Sequence, residues 1–200
     1  SHGAAISIII TMYFFSKNVL KRPQMCILDR IVIAVASGAI FVRLGNFFNS
    51  EIVGNITSSP FGVRFVRDQF STREAVNATQ LASPNEAYNA IATNTQFADL
   101  LLQVPAKHPA QLYEAFSYIF VFAILFFLYW KTNVREKSGY LFGLFLVLLW
   151  SVRFVVEYVK ESQGGFESSL GLLTTGQWLS IPFILIGLYF VFTAEKPVHL

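Results

Sequence analysis

Long apolar blocks separated by short polar joints dominate the chain. Residues 3–15 are apolar for about a dozen positions, too few alone for a membrane span of roughly 20 residues. Residues 31–48 form a second apolar block, interrupted by Arg43. Residues 112–130 form a near-uniform third, ending in the interfacial pair Tyr129 and Trp130. Residues 139–159 make a fourth that carries Arg153 and Glu157 inside its apolar run, and 177–194 a fifth. Pro182 lies in the first turns of the fifth, where a missing N–H is tolerated. The pattern predicts five helices. The first has no basic stretch before it and makes a poor signal peptide. Because the chain opens at Ser1-His2 rather than Met, it reads as a fragment with its upstream part missing.

The segment 49–111 has a different character. Ser58-Ser59-Pro60-Phe61-Gly62 is turn chemistry. Residues 63–67 alternate apolar and basic as a short strand does, and 77–99 are polar and Ala-rich, which reads as helical. A connection of this length is uncommon without a role of its own, so a small cap or substrate-docking element is expected. The organisation is then 1–48 with the first two membrane helices and their loop, 49–111 as the cap, 112–194 with the last three membrane helices, and 195–200 as a tail. No internal repeat or low-complexity tract is visible.

Composition supports a membrane chain. Of 200 residues, 54% are hydrophobic and only 14% charged, against about 25% in soluble chains, and mean hydropathy is +0.52. Twenty-one Phe, eight Tyr and three Trp exceed what one small core can hide. Disorder is excluded, and a single cysteine excludes a disulfide-stapled domain. Cys26 reads as an ordinary buried or interfacial thiol. The net charge of +3 does not point to nucleic acid, because the basic residues are spread between apolar blocks. They fall instead in alternate loops: Lys17, Lys21, Arg22 and Arg30 against Asp29 in one, and Lys131, Arg135 and Lys137 against Glu136 in another. Between the fourth and fifth blocks, Lys160 faces Glu161 and Glu167. The positive-inside rule makes the first two cytoplasmic and the third external, so 49–111 is expected outside.

Charges at membrane depth cost roughly 2.5–3.5 kcal/mol each on insertion scales and survive when paired, hydrated or used. On a helix Arg43, Asn46 and Asn49 share one face at spacing three, opposite Leu44, Phe47 and Phe48, with Glu51 and Gly54 following. A guanidinium, two carboxamides and a carboxylate suit a phosphate ester with hydroxyls; the bland alternative is a snorkelling arginine beside helix-capping asparagines. Arg153 and Glu157 at i, i+4 form either a self-neutralising pair or a fork that Glu157 orients toward an anion. In His108-Pro109-Ala110-Gln111-Leu112-Tyr113-Glu114, Pro109 fits a first helical turn, and Gln111 and Glu114 share a face. Read alone, this segment is entry capping with Tyr113 as an interfacial anchor. His2 falls on the external side of the first helix, where a neutral imidazole can take a proton from a thiol or hydroxyl.

Together these residues resemble the prolipoprotein diacylglyceryl transferase family. The run from Arg43 to Gly54 is similar to its Gly-Arg-x-Gly-Asn-Phe-x-Asn-x-Glu-x-x-Gly signature, matching at Arg43, Gly45, Asn46, Phe47, Asn49, Glu51 and Gly54 and departing at Val42. Ser1-His2-Gly3 resembles the family's His-Gly segment, and His108–Glu114 its His-Pro-x-Gln-Leu-Tyr-Glu. Arg153-Phe154-x-x-Glu157 and Gly176-Gln177-x-Leu179-Ser180-Ile181-Pro182 resemble two further motifs, so the likeness covers nearly the whole chain. Leu149 departs where some members carry Tyr. The resemblance implies an all-α polytopic membrane helix bundle of seven spans, five of them visible here and two lying before Ser1.

The implied activity is transfer of the diacylglyceryl group from phosphatidylglycerol to the lipobox cysteine thiol of a prolipoprotein signal peptide. Its products are a thioether and glycerol phosphate, with no metal or organic cofactor. Carried over by position, Arg43 would bind the phosphoglycerol headgroup, and Asn46 and Gly54 would shape that site, with Asn49, His108, Gln111, Tyr113 and Glu114 also on the substrate. His2 would be the base, Arg153 held by Glu157 the second phosphate-facing arginine, and Glu51 a supporting acid. The implied location is the bacterial cytoplasmic (inner) membrane, with the site toward the outer leaflet. A transporter or channel would also place arginines in membrane helices, but it should show repeated halves with broken helices at matching positions, and none is found. A purely structural subunit would explain the aromatics but not the convergent polar faces.

Overall fold

A computed structural model describes residues 2–161 and 173–195. In chain order the α-helices are α1 (His2–Phe15), α2 (Gln24–Phe48), α3 (Val66–Gln69), α4 (Thr72–Thr79), α5 (Pro84–Thr93), α6 (Ala98–Gln103), α7 (Ala110–Lys131), α8 (Tyr140–Val156) and α9 (Thr175–Thr193). Two short strands, β1 (Val63–Arg64) and β2 (Ala106–Lys107), pair antiparallel. The fold is an all-α membrane bundle. Among the described residues four helices are long and apolar enough to cross a bilayer: α2, α7, α8 with its following turn to Val159, and α9. The apolar run at the amino end gives the 14 residues of α1, which a π-helical turn over Ser16–Leu20 continues.

Why these helices pack follows from their apolar stripes. Val32 and Ala36 of α2, Tyr118, Val121 and Leu125 of α7, and Leu141, Phe145 and Leu146 of α8 form one buried cluster. The outward faces keep large apolar side chains exposed, among them Phe41, Phe120, Phe127 and Phe192, as lipid rather than water requires. α8 and α9 pack closely where glycines face each other. A Cβ on Gly143 would stand 2.6 Å from the Gly187 carbonyl oxygen, and one on Gly187 2.7 Å from that of Gly143, the small-residue packing that membrane helices favour. Trp150 and Phe183 stack nearby at 4.3 Å between ring centres.

The start of the second helix and the end of the expected strand differ from the sequence reading. α2 begins at Gln24 rather than Ile31, so Asp29 and Arg30 are helical and not loop charges. Asp29 is buried and accepts hydrogen bonds from the backbone N–H groups of Gly139 at 2.7 Å and Phe142 at 2.8 Å. It thereby caps α8 from another helix, since Gly139 itself has no side chain to do so. The expected strand over 63–67 stops at Arg64. Val66–Gln69 turns helical and buries Val66 in a small core with Ala75, Ala87, Tyr88 and Ile91.

Helices α4, α5 and α6 cover most of 72–103, including most of the 77–99 stretch read as helical, whereas 49–62 is turn and extended chain. Ser71 and Glu74 close α4 with a reciprocal capping box, which holds the Glu74 carboxyl below its ordinary range. Lys107 fastens this unit to the bundle, donating to Asp68 at 2.7 Å and to Glu161 at 2.8 Å. Burial would push its ammonium down, but the two carboxylates outweigh that and leave its pKa above the usual lysine value.

Candidate active site

Arg43 is positioned by the last turns of α2 and Arg153 by the last turn of α8. Both line one cavity of about 440 Å³, walled by Val35, Gly38, Ala39 and Val42 of α2, Tyr118 of α7, and Leu149 and Trp150 of α8. Apart from the guanidiniums and the Tyr118 phenol, this wall is apolar. Val35 and Val42 are themselves exposed, so the cavity opens onto the apolar outer surface of the described bundle.

The electrostatics centre on Glu114, which is 1% exposed. Its carboxylate meets the Arg43 Nε at 2.8 Å and the Lys160 Nζ at 3.6 Å. Lys160 also lies 3.9 Å from Glu157. Three cations thus stand against two carboxylates, leaving one net positive charge, which an anionic phosphodiester would balance. Burial pushes the Lys160 ammonium below the ordinary lysine value, and Arg43 and Arg153 add to that push against the pull of Glu114.

Arg153 differs from the expected arrangement. The i, i+4 spacing suggested that Glu157 holds it, yet the two make no ion pair. α8 ends at Val156 and Glu157 begins a 3-10 turn, which swings its carboxylate toward Lys160 and onto Gly176. A Cβ at Gly176 would overlap the Glu157 carboxylate, so that glycine makes room for it. The Arg153 guanidinium instead lies 5.5 Å from the centre of the Trp150 ring, and its Nε is buried without a hydrogen-bond partner. An arginine in this state retains donors for an incoming anion.

The other motif residues divide between the cavity region and its frame. Asn46 is half-buried, and its carbonyl accepts from the Glu51 N–H at 2.8 Å. Asn49 terminates α2 and is exposed, as is the Glu51 side chain. Neither is drawn in with Arg43, because the helix ends before their face repeats. Ser50 and Ile52 take left-handed φ values of 57° and 56°; for a β-branched residue that is a strained backbone. Gln111, fully buried, donates to the Glu51 carbonyl at 2.6 Å and pins that turn.

Gly54 then threads between two strands of chain. Its N–H donates to the His108 carbonyl at 2.9 Å, and a Cβ would sit 2.6 Å from the carbonyl oxygens of both His108 and Val159. The glycine is needed for this close passage. His108 Nδ1 lies 3.2 Å from the Tyr113 hydroxyl. His2 opens α1; its side chain lies outside the described residues.

Sequence reasoning missed Lys160, which it counted as a loop charge, and Tyr118. Lys160 was detectable from its i, i+3 spacing to Glu157; nothing local marks Tyr118, which reaches the cavity only through helix packing. In the fifth block, Gln177 caps α9 with Thr174 and donates to the Phe154 carbonyl at 3.4 Å. Among the described residues no cluster of three or more metal-ligating side chains forms.

Fold and site together define a polytopic helical membrane protein with a charged cavity open to its lipid-facing surface. The chain belongs to the prolipoprotein diacylglyceryl transferase family, whose model matches residues 1–193. It is 33% identical over 196 residues to the phosphatidylglycerol–prolipoprotein diacylglyceryl transferase of Tolumonas auensis, covering 98% of this chain and 62% of the relative. The proteins of that name from Bacteroides fragilis and Porphyromonas gingivalis are 34% and 35% identical, covering 98% of this chain and 58% and 62% of their own lengths. The chain therefore spans about six-tenths of the length of these relatives.

Proposed function

We propose that this chain carries the headgroup site of an enzyme that transfers the diacylglyceryl group of phosphatidylglycerol to the lipobox cysteine thiol of a prolipoprotein, the first step of lipoprotein maturation. The observation that supports this best is that Arg43 and Arg153, from separate spans, line one lipid-facing cavity. The names of the relatives supply the two substrates.

The chemistry accounts for the residues. The peptide brings its own nucleophile, so no catalytic Ser or Cys is needed. The thiolate sulfur forms a bond to the diacylglyceryl carbon, the carbon–oxygen bond to phosphate breaks, and glycerol phosphate leaves. The phosphodiester carries one negative charge and the released monoester gains a second, while the thiol proton goes to a base. Arg43 and Arg153 meet that growing charge, and the apolar wall strengthens their effect. A dry site also raises the thiol pKa, which the cations and a base offset.

His2 is the base in this reading on sequence grounds. Asn46 and the Glu51–Gly54 turn shape the headgroup site. Glu114 holds Arg43, while Glu157 acts through Lys160. The chain would sit in the bacterial inner membrane with this cavity toward the outer leaflet and 49–111 outside, as the basic loops imply.

The test is reconstitution of the full-length protein with phosphatidylglycerol and a lipobox peptide, scoring both glycerol phosphate release and peptide modification. Equal amounts of the two support transfer. Release without modified peptide would replace it with a lipase-like activity.

A further inference from the structure

At the other end of the bundle a second cavity, of about 420 Å³, is lined by Arg22, Arg30, Arg135, Asp29, Tyr129 and Leu20 among others. The three arginines come from different elements: the joint before α2, α2 itself, and the 3-10 turn Asn133–Glu136 after α7. None of them forms an ion pair with a described residue. The one carboxylate in the lining, Asp29, forms no ion pair with them; its two oxygens accept backbone N–H groups at the start of α8. The cavity thus holds three guanidiniums against one committed carboxylate.

Its surroundings are those of a lipid boundary. Leu20 and Tyr129 form part of the wall, and Val19 and Trp130 beside them are exposed. Arg30 stands thirteen residues before Arg43 on α2, which at 1.5 Å per residue is about 20 Å along the axis.

We propose that this cavity is a second anion site, which holds the phosphate of an anionic phospholipid from the leaflet opposite the Arg43–Arg153 cavity. Guanidiniums meet the phosphate through paired N–H donors, and the Leu20–Tyr129 side receives the start of an acyl chain. Basic cavities between membrane helices at the positively flanked end suit such headgroups. The inference does not depend on the transfer reaction.

Native mass spectrometry of the full-length protein in detergent tests it, with phosphatidylglycerol and phosphatidylcholine added in parallel. The expected result is that a protein carrying Arg22→Gln, Arg30→Gln and Arg135→Gln together retains one fewer phosphatidylglycerol than the unsubstituted protein, and that the same loss of one recurs when the three are added to Arg43→Ala. Equal retention, or equal retention of phosphatidylcholine, would overturn the proposal and leave the arginines as topology signals alone. Displacement by inorganic phosphate at comparable concentration would also overturn it, in favour of a soluble anion.

Should the triple variant fail to insert, the unsubstituted protein suffices, because Cys26 lines the same cavity. Alkylation of Cys26 by N-ethylmaleimide should slow several-fold in vesicles containing phosphatidylglycerol relative to phosphatidylcholine vesicles. Unchanged rates would count against a bound headgroup.

Discussion

Arg43 and Glu114, 71 positions apart in sequence, meet at 2.8 Å, and the glutamate is 1% exposed. The same carboxylate faces Lys160, so one buried anion serves two cations from α2 and from the turn after α8. Removing one partner of a buried pair costs about 3–5 kcal/mol, because the other charge stays behind unpaired.

Glu114→Gln should therefore lower both stability and turnover. Thermal unfolding of the purified full-length protein should show a clear fall in Tm, and transfer should drop more than tenfold. A variant as stable and active as the original would mean that the ion pair is screened by water.

Arg43→Ala should abolish lipid transfer while the protein still inserts into the membrane. Arg153→Lys retains the charge but not the planar fork, so its kcat/KM should fall by about tenfold or more if two parallel donors grip the phosphate. Rates equal to the original would reduce Arg153 to a point charge.

Gly176→Ala and Gly54→Ala test close packing rather than charge. At Gly54 the obstacles include two backbone carbonyls, which cannot rotate away; at Gly176 the obstacle is the Glu157 carboxylate. Each substitution should destabilise by about 1–3 kcal/mol. Gly176→Ala should also reduce transfer by displacing Glu157 from Lys160, which separate melting and activity measurements would reveal.

Lys107 gives a pH-dependent expectation. Its folded pKa is raised above the ordinary 10.5, so its stabilisation is complete below that value and is lost as pH rises through the higher folded one. The stability difference between the original protein and Lys107→Met should stay flat from about pH 7 to 10 and shrink only beyond that. Denaturant titrations at several pH values would show this, and a difference that declines already near neutrality would contradict it.

The spans were legible because lipid imposes long apolar runs that a single sequence displays. Arg43, Arg153 and Glu157 stood out for the complementary reason, as charges in apolar surroundings, whereas Gln111 and Glu114 read alone as entry capping and entered through the family resemblance. What local pattern could not supply was partnership. The spacing of Arg153 and Glu157 holds only on an unbroken helix, and α8 tightens at Glu157. Asp29 looked like a loop charge because its partners, Gly139 and Phe142, are distant in sequence. The strand expected over 63–67 yielded to Val66, whose burial beside Ala87 and Ile91 outweighs two-residue alternation. His2 stays a sequence inference.

The cap that Asp29 places on α8 gives two spans a common origin. Arg43 stands fourteen positions beyond Asp29 on α2, and Arg153 fourteen beyond Gly139 on α8. At 1.5 Å per residue both climb about 21 Å from that shared floor and arrive at the same height. A single inserted residue in either stretch would lift its guanidinium by about 1.5 Å and turn it by roughly 100°. Meeting in one cavity is thus a matter of equal counting along two neighbouring helices, set from their opposite ends.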